Sequence, residues 1–221
     1  MSDEPAGSPG DPGPTGAALA ALVRAAATDL LARKDELNRL DGVAGDGDLG
    51  LTVSTGARAL LDLAPTLEDL PEADAIRRCG TEIARRAPST GGTLIAFAFM
   101  AAAKAAIEPG ATAVERAAAY LAAAADTVAQ RGQVEVGERT MLDALRPAAD
   151  AVRAAADRRD DATAAASAAA RAADDGAKAT ATMAAKVGRA GWLADRAAGH
   201  EDAGARLIAL ALGAAVPPRS A

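Results

Sequence analysis

Aromatic residues are nearly absent from this chain: one tryptophan, one tyrosine and two phenylalanines serve 221 residues. Cysteine is reduced to Cys79, which excludes an internal disulfide and a cysteine zinc cluster. Its place in a helical stretch reads as a buried small apolar residue, and a reducing cytoplasm is the natural compartment. Positive charge is not in excess. The formal net charge is -6, which argues against a broad nucleic-acid surface. A small anionic ligand held through metal ions remains compatible with it. Long apolar runs are also missing. The longest, Thr93 to Ala103, is too short and too alanine-rich to span a membrane. The first 16 residues are acidic and rich in proline and glycine, with no basic region and no apolar run, so no secretory signal is read. A soluble protein is expected. Valine and isoleucine are too sparse for a large sheet.

Alanine is what the chain has in abundance, at 66 of 221 residues. It is the best helix former, because it loses no side-chain entropy in a helix. The composition predicts an all-helical domain with close, small-residue interfaces. Residues 1–14 read as a disordered tail, 15–216 as one domain, and 217–221 as a short tail begun by Pro217 and Pro218. About eight helices are expected, near 15–40, 50–63, 71–87, 92–107, 111–131, 138–156, 161–186 and 203–216. Short linkers suit antiparallel neighbours. Four loops, at 40–50, 87–92, 132–140 and 188–204, carry glycine with polar residues that a minimal bundle does not need.

The most informative stretch is LDGVAGDGDLG, residues 40–50. Asp41, Asp46 and Asp48 fall within eight positions. Carboxylates this close repel one another unless a cation joins them. Magnesium takes carboxylates together with substrate phosphates. The glycines let the backbone bend sharply, and the free N–H groups of a helix starting near Gly50 could face phosphate. Other readings stay open at this point. Gly45, Gly47 and Gly50 match a dinucleotide fingerprint, but no βαβ unit surrounds them. Residues 41–52 lack the final glutamate of a calcium loop. A helix cap with acidic decoration is the bland reading. No Walker P-loop occurs.

The loop is similar to the aspartate loop of the ADP-binding subunit of dihydroxyacetone kinase, DhaL, and of the matching domain in single-chain dihydroxyacetone kinases. The resemblance continues through GERTMLDAL (137–145), TATMAAKVGRAGWLADRAAGHEDAGA (180–205) and, more loosely, APSTGGTL (87–94). It implies an eight-helix antiparallel barrel with a nucleotide site at one mouth. It implies that Asp41, Asp46 and Asp48 hold two Mg2+ ions bridging to ATP or ADP. By the same matching, Leu49, Gly50, Leu51, Thr52, Thr90, Gly91, Gly132, Met141, Arg189, Asp202, Ala203 and Gly204 contact the nucleotide, with Gly132 and Met141 on the adenine side. Taken singly, Met141 also reads as core, Arg189 as a surface charge and Trp192 as a packing residue. His200, the single histidine, reads as bracing a loop rather than as a catalyst. Three positions depart from the family's pattern: Leu49 for histidine, Gly91 for serine and Ala203 for proline.

The resemblance further implies phosphoryl transfer to a small ketose held on a separate DhaK-like subunit, so this chain alone is expected to be inactive. Its phosphoryl source is either exchanging ATP, or bound ADP recharged by a phosphohistidine protein of the phosphotransferase system. A homodimer or hetero-oligomer is expected. A four-carbon ketose and a nucleotide-sensing module without catalysis are the alternatives.

Overall fold

The computed structural model describes residues 15–186 and 194–216. Every element among them is helical, apart from one isolated bridge between Thr15 and Pro71. The helices are α1 (Ala17–Ala32), α2 (Lys34–Ala44), α3 (Leu49–Leu63), α4 (Glu72–Arg86), α5 (Thr90–Ala102), α6 (Ala113–Gly132), α7 (Leu142–Arg158), α8 (Ala162–Ala179) and α9 (Ala203–Gly213). Single turns occupy Ala64–Thr66, Thr180–Thr182 and Ala194–Ala197. No described helix is long and apolar enough to cross a membrane.

Contacts run in order from α3 to α4, α5, α6, α7, α8 and α9, and α1 packs on both α9 and α3, so the helices close a ring. Helix α2 rests on α3 and α9. Alanine makes the tight seams possible. Ala165, Ala169, Ala173 and Ala177 recur every four residues along α8 and are buried against Ala144, Ala148 and Ala155 of α7 and Ala205 and Ala209 of α9. Each buried methyl contributes only about 0.8 kcal/mol, so stability is spread over many small contacts. Cys79 is fully buried, as its context predicts, and burial pushes its thiol up to about 12.

Helix boundaries follow local chemistry where caps exist. Thr112 and Glu115 form a reciprocal capping box at the start of α6, and Asp161 accepts the Ala164 N–H at the start of α8. Four boundaries differ from expectation. The first helix breaks at Arg33, where neither glycine nor proline stands; Leu37 of α2 is instead drawn into a cluster with Leu207 and Leu210 of α9. Helix α5 stops at Ala102 rather than near 107. Helix α7 starts at Leu142, after a turn with φ of +94° at Gly137 and +63° at Arg139. Helix α8 gives way at Thr180, whose buried hydroxyl bonds to Ala177 and Asp202.

Candidate functional site

Helix α2 continues through Ala44, so Asp41 stands on its last turn. Residues 45–48 then reverse the chain into α3, and Gly47 provides the turn with φ +76°. One oxygen of Asp41 organises this reversal. Its Oδ2 accepts the backbone N–H groups of Gly47 (2.9 Å), Asp48 (3.1 Å) and Leu49 (3.3 Å). Asn38 Oδ1 accepts the Gly50 N–H at 2.6 Å. Gly50 has no room for a side chain, since a β-carbon there would lie 2.0 Å from the Lys34 carbonyl oxygen. The first N–H groups of α3 are therefore spent on side chains. The expectation that free amides here face phosphate is corrected for Leu49 and Gly50.

Asp41, Asp46 and Asp48 each offer a carboxylate oxygen, all within 4.8 Å of one another. Asp41 is half-buried; Asp46 and Asp48 are exposed. Two unit charges at that spacing repel by roughly 1 kcal/mol in bulk water and by a few-fold more near a protein surface. A divalent cation reverses the sign of that energy. An all-oxygen, all-carboxylate donor set suits a hard cation such as Mg2+ and offers nothing to a soft one.

The other blocks meet around Met141. A β-carbon on Gly91 would lie 3.9 Å from Met141 Cε, and one on Gly204 would lie 3.4 Å from Met141 Cβ. Gly132 backs onto Leu94, whose Cδ1 would be 3.8 Å from a β-carbon there. Leu94 also lines a cavity of about 450 Å3 with Thr90, Thr93, Phe97 and Arg131. The Arg131 guanidinium lies 4.1 Å above the Phe97 ring, a cation–π contact. Thr90, Gly91, Gly132, Met141 and Gly204 are thus gathered from four chain segments. Leu49 turns its side chain into the cluster of Leu37, Leu207 and Leu210, and its N–H is taken by Asp41. Leu51 is 66% exposed. Thr52 is half-buried on α3. Arg189 and Trp192 lie outside the described residues.

Asp202 caps α9. Its Oδ1 accepts the Ala205 N–H at 2.7 Å, and its own N–H donates to Thr180 Oγ1 at 2.8 Å. Burial pushes its carboxyl up to about 6, against the lowering effects of the Ala205 N–H and of the Arg139 charge. Ala203 is buried at the first position of α9.

Sequence reasoning missed Asn38, Arg139, Asp143 and Thr180. Arg139 is 4% exposed and Asp143 is 1% exposed. Asp143 accepts the N–H groups of Gly137 and Thr140, which winds the turn before α7. Arg139 donates to the carbonyls of Thr180, Ala197 and His200. His200 joins this network through its backbone carbonyl. The only signal in the sequence was the membership of Arg139, Asp143 and Thr180 in the blocks 137–145 and 180–205; Asn38, just ahead of the 40–50 loop, carried none. A groove of about 880 Å3 between α1, α8 and α9 holds Arg24, Arg33 and Arg206, but each is ion-paired, so it shows no surplus of charge.

Residues 43–216 match the family model described as the DAK2 domain. A putative 3,4-dihydroxy-2-butanone kinase of Solanum lycopersicum is 35% identical over 180 residues, covering 80% of this chain and 30% of that protein. The ADP-binding subunit DhaL of the PEP-dependent dihydroxyacetone kinase of Escherichia coli K12 is 29% identical over 181 residues, covering 81% of this chain and 86% of that one. The crystal structure of the dihydroxyacetone kinase from C. freundii in complex with AMP-PNP and Mg2+ superposes with a TM-score of 0.69 at 27% identity, covering 97% of this chain and 36% of that chain. The chain thus spans about a third of the tomato and C. freundii kinases and most of the E. coli subunit.

Proposed function

The chain belongs to the DAK2 domain family, and from that membership we propose that it is the Mg2+-nucleotide-binding subunit of a dihydroxyacetone-type kinase. The single observation that carries this reading is the convergence of the Asp41, Asp46 and Asp48 carboxylates within 4.8 Å at the start of α3. The C. freundii kinase structure holding AMP-PNP and Mg2+ supports the same ligand class here.

Asp41, Asp46 and Asp48 would hold the magnesium, which supplies charge neutralisation for the phosphates. Asp41 fixes the loop by accepting three backbone N–H groups. Met141, flanked by Gly91 and Gly204, offers an adaptable apolar wall to the purine. The neighbouring cavity at Thr90, Leu94 and Phe97 leaves room beside it. Leu49, Gly50, Leu51 and Thr52 border the phosphates, with the Leu49, Gly50 and Thr52 amides already engaged within the protein; Thr90, Gly132, Asp202 and Ala203 complete the described rim, and Arg189 adds a cation.

The acceptor is a small ketose on a DhaK-like subunit, and this chain is inactive without that partner. Recharging by ATP exchange and by a phosphohistidine protein remain the two energy sources, in a cytoplasmic setting. The name of the tomato relative favours a four-carbon ketose as the second reading.

Calorimetric titration of ADP with and without Mg2+ tests the proposal, in the wild type and in Asp46→Asn. Binding that requires Mg2+ and weakens by about tenfold or more in the variant is expected. Equal affinity in the two proteins rejects the metal role of Asp46.

A further inference from the structure

Resting on the nucleotide reading above, the geometry points to Arg139 as the positioning residue that clasps the Asp202–Gly204 turn against Met141. One guanidinium ties two distant segments together. Its Nε donates to the Thr180 carbonyl at 3.2 Å, at the end of α8. Its Nη2 donates to the carbonyls of Ala197 (2.8 Å) and His200 (2.9 Å), just before α9. Two further bonds join the same segments: Gly199 N–H to the Ala181 carbonyl at 3.0 Å, and Asp202 N–H to Thr180 Oγ1 at 2.8 Å. Planar guanidinium offers five donors in a fixed fork, so one side chain can bridge carbonyls on both segments; an ammonium is a point charge and cannot reproduce that span.

The arrangement is costly, and local sequence would not choose it. Arg139 has φ +63°, a left-handed conformation that an L side chain adopts at a cost of about 1–2 kcal/mol. Its charge is buried, and among the described residues it is met by carbonyls rather than by a direct ion pair. Asp143 enforces the turn by accepting the Gly137 and Thr140 N–H groups. Met141 is two residues further on. The turn that buries the guanidinium therefore also sets the methionine wall, and the carbonyls it grips precede the turn that faces that wall. A β-carbon on Gly204 would lie 3.7 Å from the Met141 amide nitrogen, so the two backbones are already close. Arg139 holds both sides of this junction in register.

The test uses the full chain with Arg139→Lys, which keeps the charge, and Arg139→Gly, which keeps the left-handed backbone. Mn2+ alone reports on the aspartate loop, Mg2+ with ADP reports on the nucleotide site, and amide exchange reports on residues 197–205. The expected result is cooperative melting, unchanged Mn2+ affinity, an ADP affinity lower by about tenfold or more, and faster exchange confined to 197–205. Added guanidinium ion should restore part of the Arg139→Gly affinity. The clasp is overturned if the folded variants bind ADP like the wild type. It is overturned equally if Mn2+ and ADP binding fall together, or if neither variant folds, since the residue then serves the fold as a whole. Should the wild type bind Mn2+ but no ADP, the nucleotide reading fails by itself. Amide exchange then decides the clasp: faster exchange limited to 197–205 supports it, and unchanged exchange rejects it.

Discussion

Asn38 accepts the Gly50 amide through Oδ1 at 2.6 Å, so a residue on α2 caps the start of α3 across the acidic reversal. Together with Asp41, it consumes the amides that would otherwise have been free at that helix end. The Asp46 and Asp48 side chains are exposed on a backbone that is thereby fixed.

Removing that cap should loosen the loop without emptying it of charge. Asn38→Ala is expected to cost about 1 kcal/mol of stability and to weaken Mg2+-dependent ADP binding. Gly50→Ala should be worse, because its β-carbon would meet the Lys34 carbonyl at 2.0 Å. Denaturant melts and the ADP titration check both. A wild-type melt for Gly50→Ala would contradict the close approach.

Gly91 has space that it does not use. The nearest atom to a β-carbon there is Met141 Cε at 3.9 Å, an ordinary contact. Gly91→Ser should therefore fold normally and gain about 0.5 kcal/mol from helix propensity in the first turn of α5. If the nucleotide lies beside this turn, the added hydroxyl should also tighten ADP. A lower melting temperature would show that the site is tighter than its contacts indicate.

Ala203 opens α9, at the one helix position where a missing N–H is harmless. Ala203→Pro should raise stability by about 0.4–1 kcal/mol by restricting the unfolded chain. A melting temperature that falls would mean the buried surroundings cannot take the ring.

Asp202 gives a pH signature. Its carboxyl is raised from 3.8 to about 6, chiefly by burial. The folded state thus prefers the protonated form. The stability this group contributes is complete below about pH 4 and is lost as pH rises through 6, an effect of roughly 3 kcal/mol at most. Asp202→Asn keeps the cap and mimics the protonated state. Wild type and variant should match near pH 4, and the variant should become the more stable above pH 6. Parallel stability curves across that window would remove burial as the cause.

The acidic part of the candidate site was legible because it is local. Asp41, Asp46 and Asp48 lie within one chain reversal, and one turn suffices to bring their oxygens within 4.8 Å. Met141 could not be separated from core on spacing alone. Its place between Gly91 and Gly204 depends on three segments meeting. Leu49 was assigned to the ligand by resemblance, and its side chain packs inward.

The amino-acid sequence alone determined that this protein is helical and where its acidic cluster falls, because helix propensity and a single glycine turn act between near neighbours. The break at Arg33, the spending of the α3 amides and the burial of Arg139 were decided only in three dimensions. Leu37 meets Leu207 and Leu210 on a distant helix, and Arg139 bonds to carbonyls 41, 58 and 61 residues away. Such pairings exist only once the helices have closed their ring, and no window along the chain contains both partners.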